Sequence, residues 1–169
     1  MGQGGLPRLS PVRLVFVCLG NICRSPTAEG VMADLLAREG LADRVAVDSA
    51  GTGDWHVGSP PDDRATAAAA GRGIALTSRG RQVTVDDFRT ADLLLAMDSR
   101  NARDLRALAP DDAAREKVRL LRSFDPASVG TGDLDVPDPY TGDADGFQLV
   151  LDQVEAACAG LLEAIRPQL

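Results

Sequence analysis

The stretch that most limits how this chain can fold is Val12 to Pro26. Val12-Arg13-Leu14-Val15-Phe16-Val17 is apolar apart from Arg13, the pattern of a strand buried on both faces. It runs directly into Cys18, and only Leu19-Gly20-Asn21-Ile22-Cys23 separate that cysteine from Arg24-Ser25-Pro26, where a helical pattern opens. Five residues let the backbone curl once and aim successive N–H groups at a single anion. The helix that follows adds its own unpaired N–H groups and the positive end of its dipole. Gly20 can take a positive φ, and Asn21 tolerates the left-handed region. Arg24 carries a planar fork that matches two phosphate oxygens. The same positive field favours the thiolate of Cys18 and sets a nucleophile under a bound phosphoryl group. Taken singly, a cysteine six residues before an arginine is an ordinary buried thiol and a surface charge. The strand before it, the Gly-Asn pair within and the Ser-Pro step after it supply the context of a phosphate-binding loop.

The rest of the chain is consistent with that beginning. Its 169 residues suit one domain with a full core. A net charge of −7 argues against nucleic acid or an anionic membrane as partner, so the phosphate site is a local positive spot on an acidic protein. Three cysteines, two of them in one loop, do not make a disulfide framework. No stretch has the length of a membrane span, and the N-terminus lacks a basic region followed by an apolar one, so the expected location is the cytoplasm. Residues 1–11 are rich in Gly and Pro and read as a flexible tail, leaving 12–169 as the domain.

Beyond the loop, a helix is expected from Pro26, with Pro at its first position, Ala28, Val31, Met32, Leu35 and Leu36 on one face, and Gly40 as its cap. Val45–Ser49, Leu93–Met97 and Val118–Leu121 read as three more strands. Helical patterns cover 62–71, 101–108 and the apolar face from Phe147 to Ile165, where Gly160 interrupts. Ile74–Arg81 reads as a connecting segment bearing Ser78, Arg79 and Arg81, and 124–135 as a polar loop. Strands alternating with helices predict an α/β fold of three layers: a central four-stranded parallel sheet, helices on both faces, and the phosphate-binding loop after strand 1. Such sheets bind ligands beyond the carboxyl ends of their strands, where Cys18 lies.

Two other stretches carry candidate chemistry. Ala50–Gly58 holds the only tryptophan, Trp55, and the only histidine, His56. Trp55 either walls a slot for an aromatic ring or pins its loop to the core, and His56 borders the same loop. Asp138 stands between Pro137 and Pro139, which fix φ on both sides and present its carboxyl on a stiff turn, with Tyr140 following. Asp-Pro is also an ordinary turn signal.

The run Val17-Cys18-Leu19-Gly20-Asn21-Ile22-Cys23-Arg24-Ser25-Pro26-Thr27-Ala28-Glu29 resembles the signature of the low-molecular-weight protein tyrosine phosphatases, bacterial type, and the resemblance extends from about Val12 to the C-terminus. It implies a cysteinyl-phosphate intermediate on Cys18, no metal or other cofactor, and a tyrosine-phosphorylated protein as substrate; the sequence does not name the oligomeric state, for which a monomer is the expectation. Leu19, Gly20, Asn21, Ile22, Cys23 and Ser25 would line the phosphate cradle with Arg24. Asp138 matches the general acid of the family's Asp-Pro-Tyr step and would later accept a proton from the hydrolytic water. Trp55 and Tyr140 would flank the substrate ring. Asn21, Ser25 and Ser49 would brace the loop, with Ser78 a weaker member of that network, and Ser25 would stabilise the Cys18 thiolate as it leaves. Cys23 either fills space under the loop or forms a reversible disulfide with Cys18. Two positions depart from the pattern: Thr141 stands where many relatives have a second tyrosine, and Ser78 where eukaryotic relatives often have histidine. Related arsenate reductases need further cysteines after the third strand, and residues 60–120 contain none. Arginine phosphatases of the same fold carry threonine at the position of Ile22, so Ile22 favours an aryl phosphate. A phosphotyrosine-binding module without catalysis would leave Cys18, Arg24 and Asp138 together without a task.

Overall fold

The computed structural model of the protein describes residue 8, residues 10–140 and residues 142–169. Most of the tail expected over residues 1–11 lies outside that range, as does Thr141. Arg8, within the expected tail, ion-pairs with Asp92 at 2.9 Å.

Four strands, β1 (Val12–Cys18), β2 (Val45–Gly51), β3 (Leu93–Ala96) and β4 (Val118–Leu120), form one parallel sheet in the order β2-β1-β3-β4. The helices are α1 (Arg24–Arg38), α2 (Asp63–Ala70), α3 (Val85–Thr90), α4 (Ser99–Leu108), α5 (Asp112–Glu116), α6 (Pro126–Thr131) and α7 (Ala144–Ile165). Because side chains alternate across a strand, β1 feeds two cores. Leu14, Phe16 and Cys18 pack with α1 and α7 on one face, while Val15 and Val17 pack with α3 and α4 on the other. That is why the run is apolar at nearly every position. β1 is flanked by β2 on one side and β3 on the other, so the chain leaves it in opposite directions and a crevice opens beyond Cys18.

Several boundaries differ from the sequence reading, each for a local reason. α1 begins at Arg24, two residues before Pro26, and its first turn closes with Thr27 N–H donating to Cys23 O at 3.2 Å. Proline is tolerated at the third helical position because that N–H has no partner within the helix anyway. Residues 124–135 are not a loop throughout: Leu121–Phe124 is a 3₁₀ turn, and Asp125 caps α6 by accepting from Ala127 N–H. Gly160 does not interrupt α7, which is continuous. A Cβ there would lie 1.8 Å from the carbonyl oxygen of Phe124, so the glycine admits the 3₁₀ turn against the helix. Gly40 does follow the end of α1 with φ 71°, as expected.

Candidate active site

Cys18 is the last residue of β1, and the backbone after it is stitched to the loop that follows β2. Thr52 N–H donates to Cys18 O and Gly53 N–H to Leu19 O, both at 2.9 Å. Gly51 makes that approach possible, since a Cβ there would stand 2.8 Å from Leu19 O. Among the described residues Asn21 is the one non-glycine with positive φ, at 57°. Gly20 does not share that conformation, contrary to the expectation. Its missing side chain makes room for the imidazole of His56, which a Cβ would meet at 3.1 Å.

The left-handed Asn21 turns its amide into the loop. Its Nδ2 donates to Ser25 Oγ at 2.8 Å, and its Oδ1 accepts from Arg81 N–H at 3.0 Å. Ser25 Oγ in turn lies 3.0 Å from Cys18 Sγ. With one lone pair engaged by the amide, the Ser25 hydroxyl keeps its proton for the sulfur or, at 3.4 Å, for Ala50 O. A thiolate can only accept, so the sulfur is the stronger claimant once it is charged.

Arg24 is 2 % exposed. Its Nη1 donates to Asp98 Oδ2 at 2.6 Å and to Val136 O at 3.1 Å, and its Nη2 lies 3.7 Å from Asp138 Oδ2. Nε is buried with no partner among the described residues, a donor that an anion in the cradle can satisfy. Burial works against the Arg24 charge, but Cys18 and Asp98 outweigh it and hold the guanidinium more firmly protonated than usual. Asp98 was not singled out in the sequence. It also caps α4, its Oδ1 accepting from Asn101 N–H at 2.7 Å, and an aspartate at a strand-to-helix junction advertises only that cap.

Asp138 stands on a segment tied at both ends. Val136 N–H donates to Met97 O at the end of β3, and Tyr140 N–H donates to Asp138 Oδ1 at 3.0 Å. Arg64 of α2 donates to Tyr140 O at 2.8 Å, and its guanidinium lies over the rings of Tyr140 and Phe147. Arg64 is a second residue that the sequence did not single out, because its partners are about eighty positions away.

One pocket gathers Cys18, Leu19, Gly20, Ile22, Cys23 and Arg24 at its floor and Trp55, His56, Asp138 and Tyr140 at its rim. Trp55 is 69 % exposed with its indole over Gly53, where a Cβ would stand 1.9 Å from the ring. It is therefore a wall of the pocket rather than a plug in the core. Burial, followed by the negative charges of Asp62, Cys18 and Asp138, pushes the Cys23 thiol up from 9.0 to about 12. A thiol held protonated is a poor attacking group. Cys18, Cys23 and Cys158 are all free.

The expected brace from Ser49 and Ser78 is not the one observed. Ser49 is buried, and among the described residues neither its hydroxyl nor that of Ser78 makes a hydrogen bond to the loop. The backbone of Arg81 takes that place. Its guanidinium forks onto Asp87 through two 3.0 Å bonds and reaches Asp48 at 2.9 Å, so the N–H that holds Asn21 is anchored on two carboxylates. A backbone donor leaves no mark on residue type, so neither the sequence nor the resemblance that suggested the serines pointed to Arg81.

The chain is similar to known proteins in both sequence and fold. The family model for low molecular weight phosphotyrosine protein phosphatases matches residues 13–169. The low molecular weight protein-tyrosine-phosphatase of Streptomyces coelicolor is 51% identical over 156 residues, 92% of this chain and 94% of that protein. Low molecular weight protein-tyrosine phosphatase A of Mycobacterium tuberculosis is 49% identical over 89% of this chain and 90% of its own. The crystal structure of a protein tyrosine phosphatase from Entamoeba histolytica with Hepes in the active site matches with a TM-score of 0.87 at 36% identity, covering 92% of this chain and 97% of that one.

Proposed function

The chain belongs to the low molecular weight phosphotyrosine protein phosphatase family, and from that premise we propose that it hydrolyses phosphotyrosine in proteins through a cysteinyl-phosphate on Cys18. The phosphoryl group sits in the loop, its oxygens taken by the Arg24 guanidinium and by backbone N–H groups from Leu19 to Ser25. The Cys18 thiolate attacks phosphorus as the bond to the tyrosyl oxygen breaks, and Asp138 in its acid form delivers a proton to that oxygen. Water then attacks the phosphocysteine and gives its proton to Asp138. The thiolate departs with the Ser25 hydroxyl to receive it, and inorganic phosphate is released. Trp55 and Tyr140 bracket the substrate ring, and Ile22 adds an apolar wall that suits an aryl ester.

The observation that carries this reading is the convergence on one pocket of Cys18 Sγ, 3.0 Å from Ser25 Oγ, and a buried Arg24 whose free edge faces Asp138. The protein's three thiols, all free, suit a reducing compartment, and we place it in the cytoplasm acting on tyrosine-phosphorylated proteins there. Among the described residues no helix is long and apolar enough to cross a membrane.

The test is phosphate release from a phosphotyrosyl peptide in EDTA, beside phosphoseryl and phosphoarginyl substrates, for wild type and Cys18→Ser. Turnover of phosphotyrosine that survives EDTA and disappears with the substitution is expected. Preferential turnover of phosphoarginine would overturn the argument from Ile22. Binding without turnover by the wild type would make the protein a recognition module.

A further inference from the structure

The catalytic pocket has a neighbour on the far side of Trp55. A groove of about 580 Å³ runs from Leu19 and Trp55, past Gln82 and Val85, to Arg100 and Leu108 on α4. The large apolar side chains that stand exposed among the described residues are Trp55, Val57, Val85, Leu108, Val129, Tyr140 and Leu149. Three of the seven line this groove, and Tyr140 lines the pocket beside it. Single exposed apolar residues are normal on a surface, whereas several meeting in one concavity mark a contact site.

The groove is built rather than incidental. Its floor is made where residues 81–83 run parallel to the end of β2. Gly51 N–H donates to Arg81 O, Val83 N–H to Gly51 O, and Gln82 Nε2 to Thr52 O at 3.1 Å. A concavity whose walls are held by backbone pairing is present before any ligand arrives. Its two charged side chains, Arg100 and Asp104, have opposite sign, so net charge does not select the occupant, and Trp55, Val85 and Leu108 offer the apolar contact beside them.

We propose that this groove is the docking site for an aliphatic side chain of the substrate, within three residues of the phosphotyrosine. The inference rests on the phosphatase reading, and continuity with the pocket is what identifies the occupant. Trp55 and Leu19 belong to both concavities. A phosphotyrosine ring held between Trp55 and Tyr140 leaves its backbone at the rim. An extended peptide advancing about 3.3 Å per residue then crosses the indole edge within a few residues and drops its next inward side chain between Val85 and Leu108.

The experiment walks one leucine through the three positions on either side of phosphotyrosine in an all-alanine peptide. kcat/KM is measured for wild type, Val85→Asp and Leu108→Asp, with p-nitrophenyl phosphate as a substrate that has no flanks. Both substituted residues are solvent-exposed and outside the catalytic pocket, so turnover of p-nitrophenyl phosphate should match wild type in each. In wild type, leucine at one of the six positions should raise kcat/KM about tenfold, the low end for one apolar group entering a pocket. Both variants should lose that gain. No favoured position, or a gain that persists in both variants, would overturn the groove while leaving the phosphatase intact. Failure of wild type to turn over even p-nitrophenyl phosphate would remove the phosphatase reading and the groove's occupant with it.

Discussion

At the residue scale, the chemistry is concentrated in side chains that have two partners each. Asp98 holds Arg24 through one carboxylate oxygen and the first turn of α4 through the other. That division lets function be separated from stability. In Asp98→Asn the acceptor for Asn101 N–H remains, while the negative charge facing Arg24 is gone. In Asp98→Ala both are lost. We expect both variants to fall at least tenfold in kcat/KM for p-nitrophenyl phosphate, since a hydrogen bond between charged groups contributes roughly 1.5–3 kcal/mol. Only the alanine variant should also lose the roughly 1 kcal/mol of a helix cap, read as a lower midpoint in urea. Equal activity in wild type and Asp98→Asn would show that the guanidinium needs no carboxylate behind it. Asp98 is also where sequence reading stopped short, because an aspartate before a helix looks the same whether or not an arginine 74 positions away leans on it. Cys18, Arg24 and Ser25 were legible for the opposite reason. Their spacing along eight residues is itself the geometry of the loop.

At the scale of elements, the site depends on how closely segments approach one another, and glycines record it. Gly51 brings the end of β2 against Leu19 O, and Gly160 brings α7 against Phe124 O. The second contact lies on the α7 side of the sheet, away from the pocket, so it offers a test of packing alone. Gly160→Ala should destabilise the fold by about 1–3 kcal/mol, despite alanine's better helix propensity, because the new methyl group would meet backbone that cannot swing aside. kcat on p-nitrophenyl phosphate should stay within about twofold of wild type at 25 °C, a difference of under 0.5 kcal/mol in the barrier. A midpoint equal to or above that of wild type would mean that the turn at 121–124 yields. Periodicity located α7 and all four strands, whose patterns run for several residues. It missed α3, α5 and α6, where helices of six, five and six residues leave too little repeat to read. Their caps, Thr84 with Asp87, Asp111 and Asp125, were present in the sequence, but such residues are equally at home in turns.

For the molecule as a whole, two buried thiols set an alkaline limit on stability. Cys23 is pushed up to about 12 from 9.0, and burial pushes Cys158 up as well. The folded state therefore keeps protons that the unfolded chain releases above pH 9. Stability is unaffected by these groups below that pH and falls as pH rises towards the folded values. Each such thiol costs about 1.4 kcal/mol per pH unit across that window. The melting temperature should thus drop steeply above pH 9, and less steeply in Cys23→Ala than in wild type. Parallel curves for the two proteins would show that Cys23 ionises as freely in the fold as outside it. The same burial keeps Cys158 inert in the core, in agreement with its apolar helical spacing.

The sequence by itself determined the α/β architecture, the place of the phosphate loop, and the identity of Cys18, Arg24 and Asp138 as candidates. Each of these is written in local order: alternation of strand and helix, a seven-residue spacing, a proline on either side of a carboxylate. Only the tertiary structure decided what holds those groups in place. Asp98 behind Arg24, Arg81 N–H on Asn21, Arg64 on the Tyr140 carbonyl and the groove beyond Trp55 all join segments tens of residues apart. Distance in space between such segments is set by packing of the two cores on the sheet, and no pattern in a single stretch of chain encodes it.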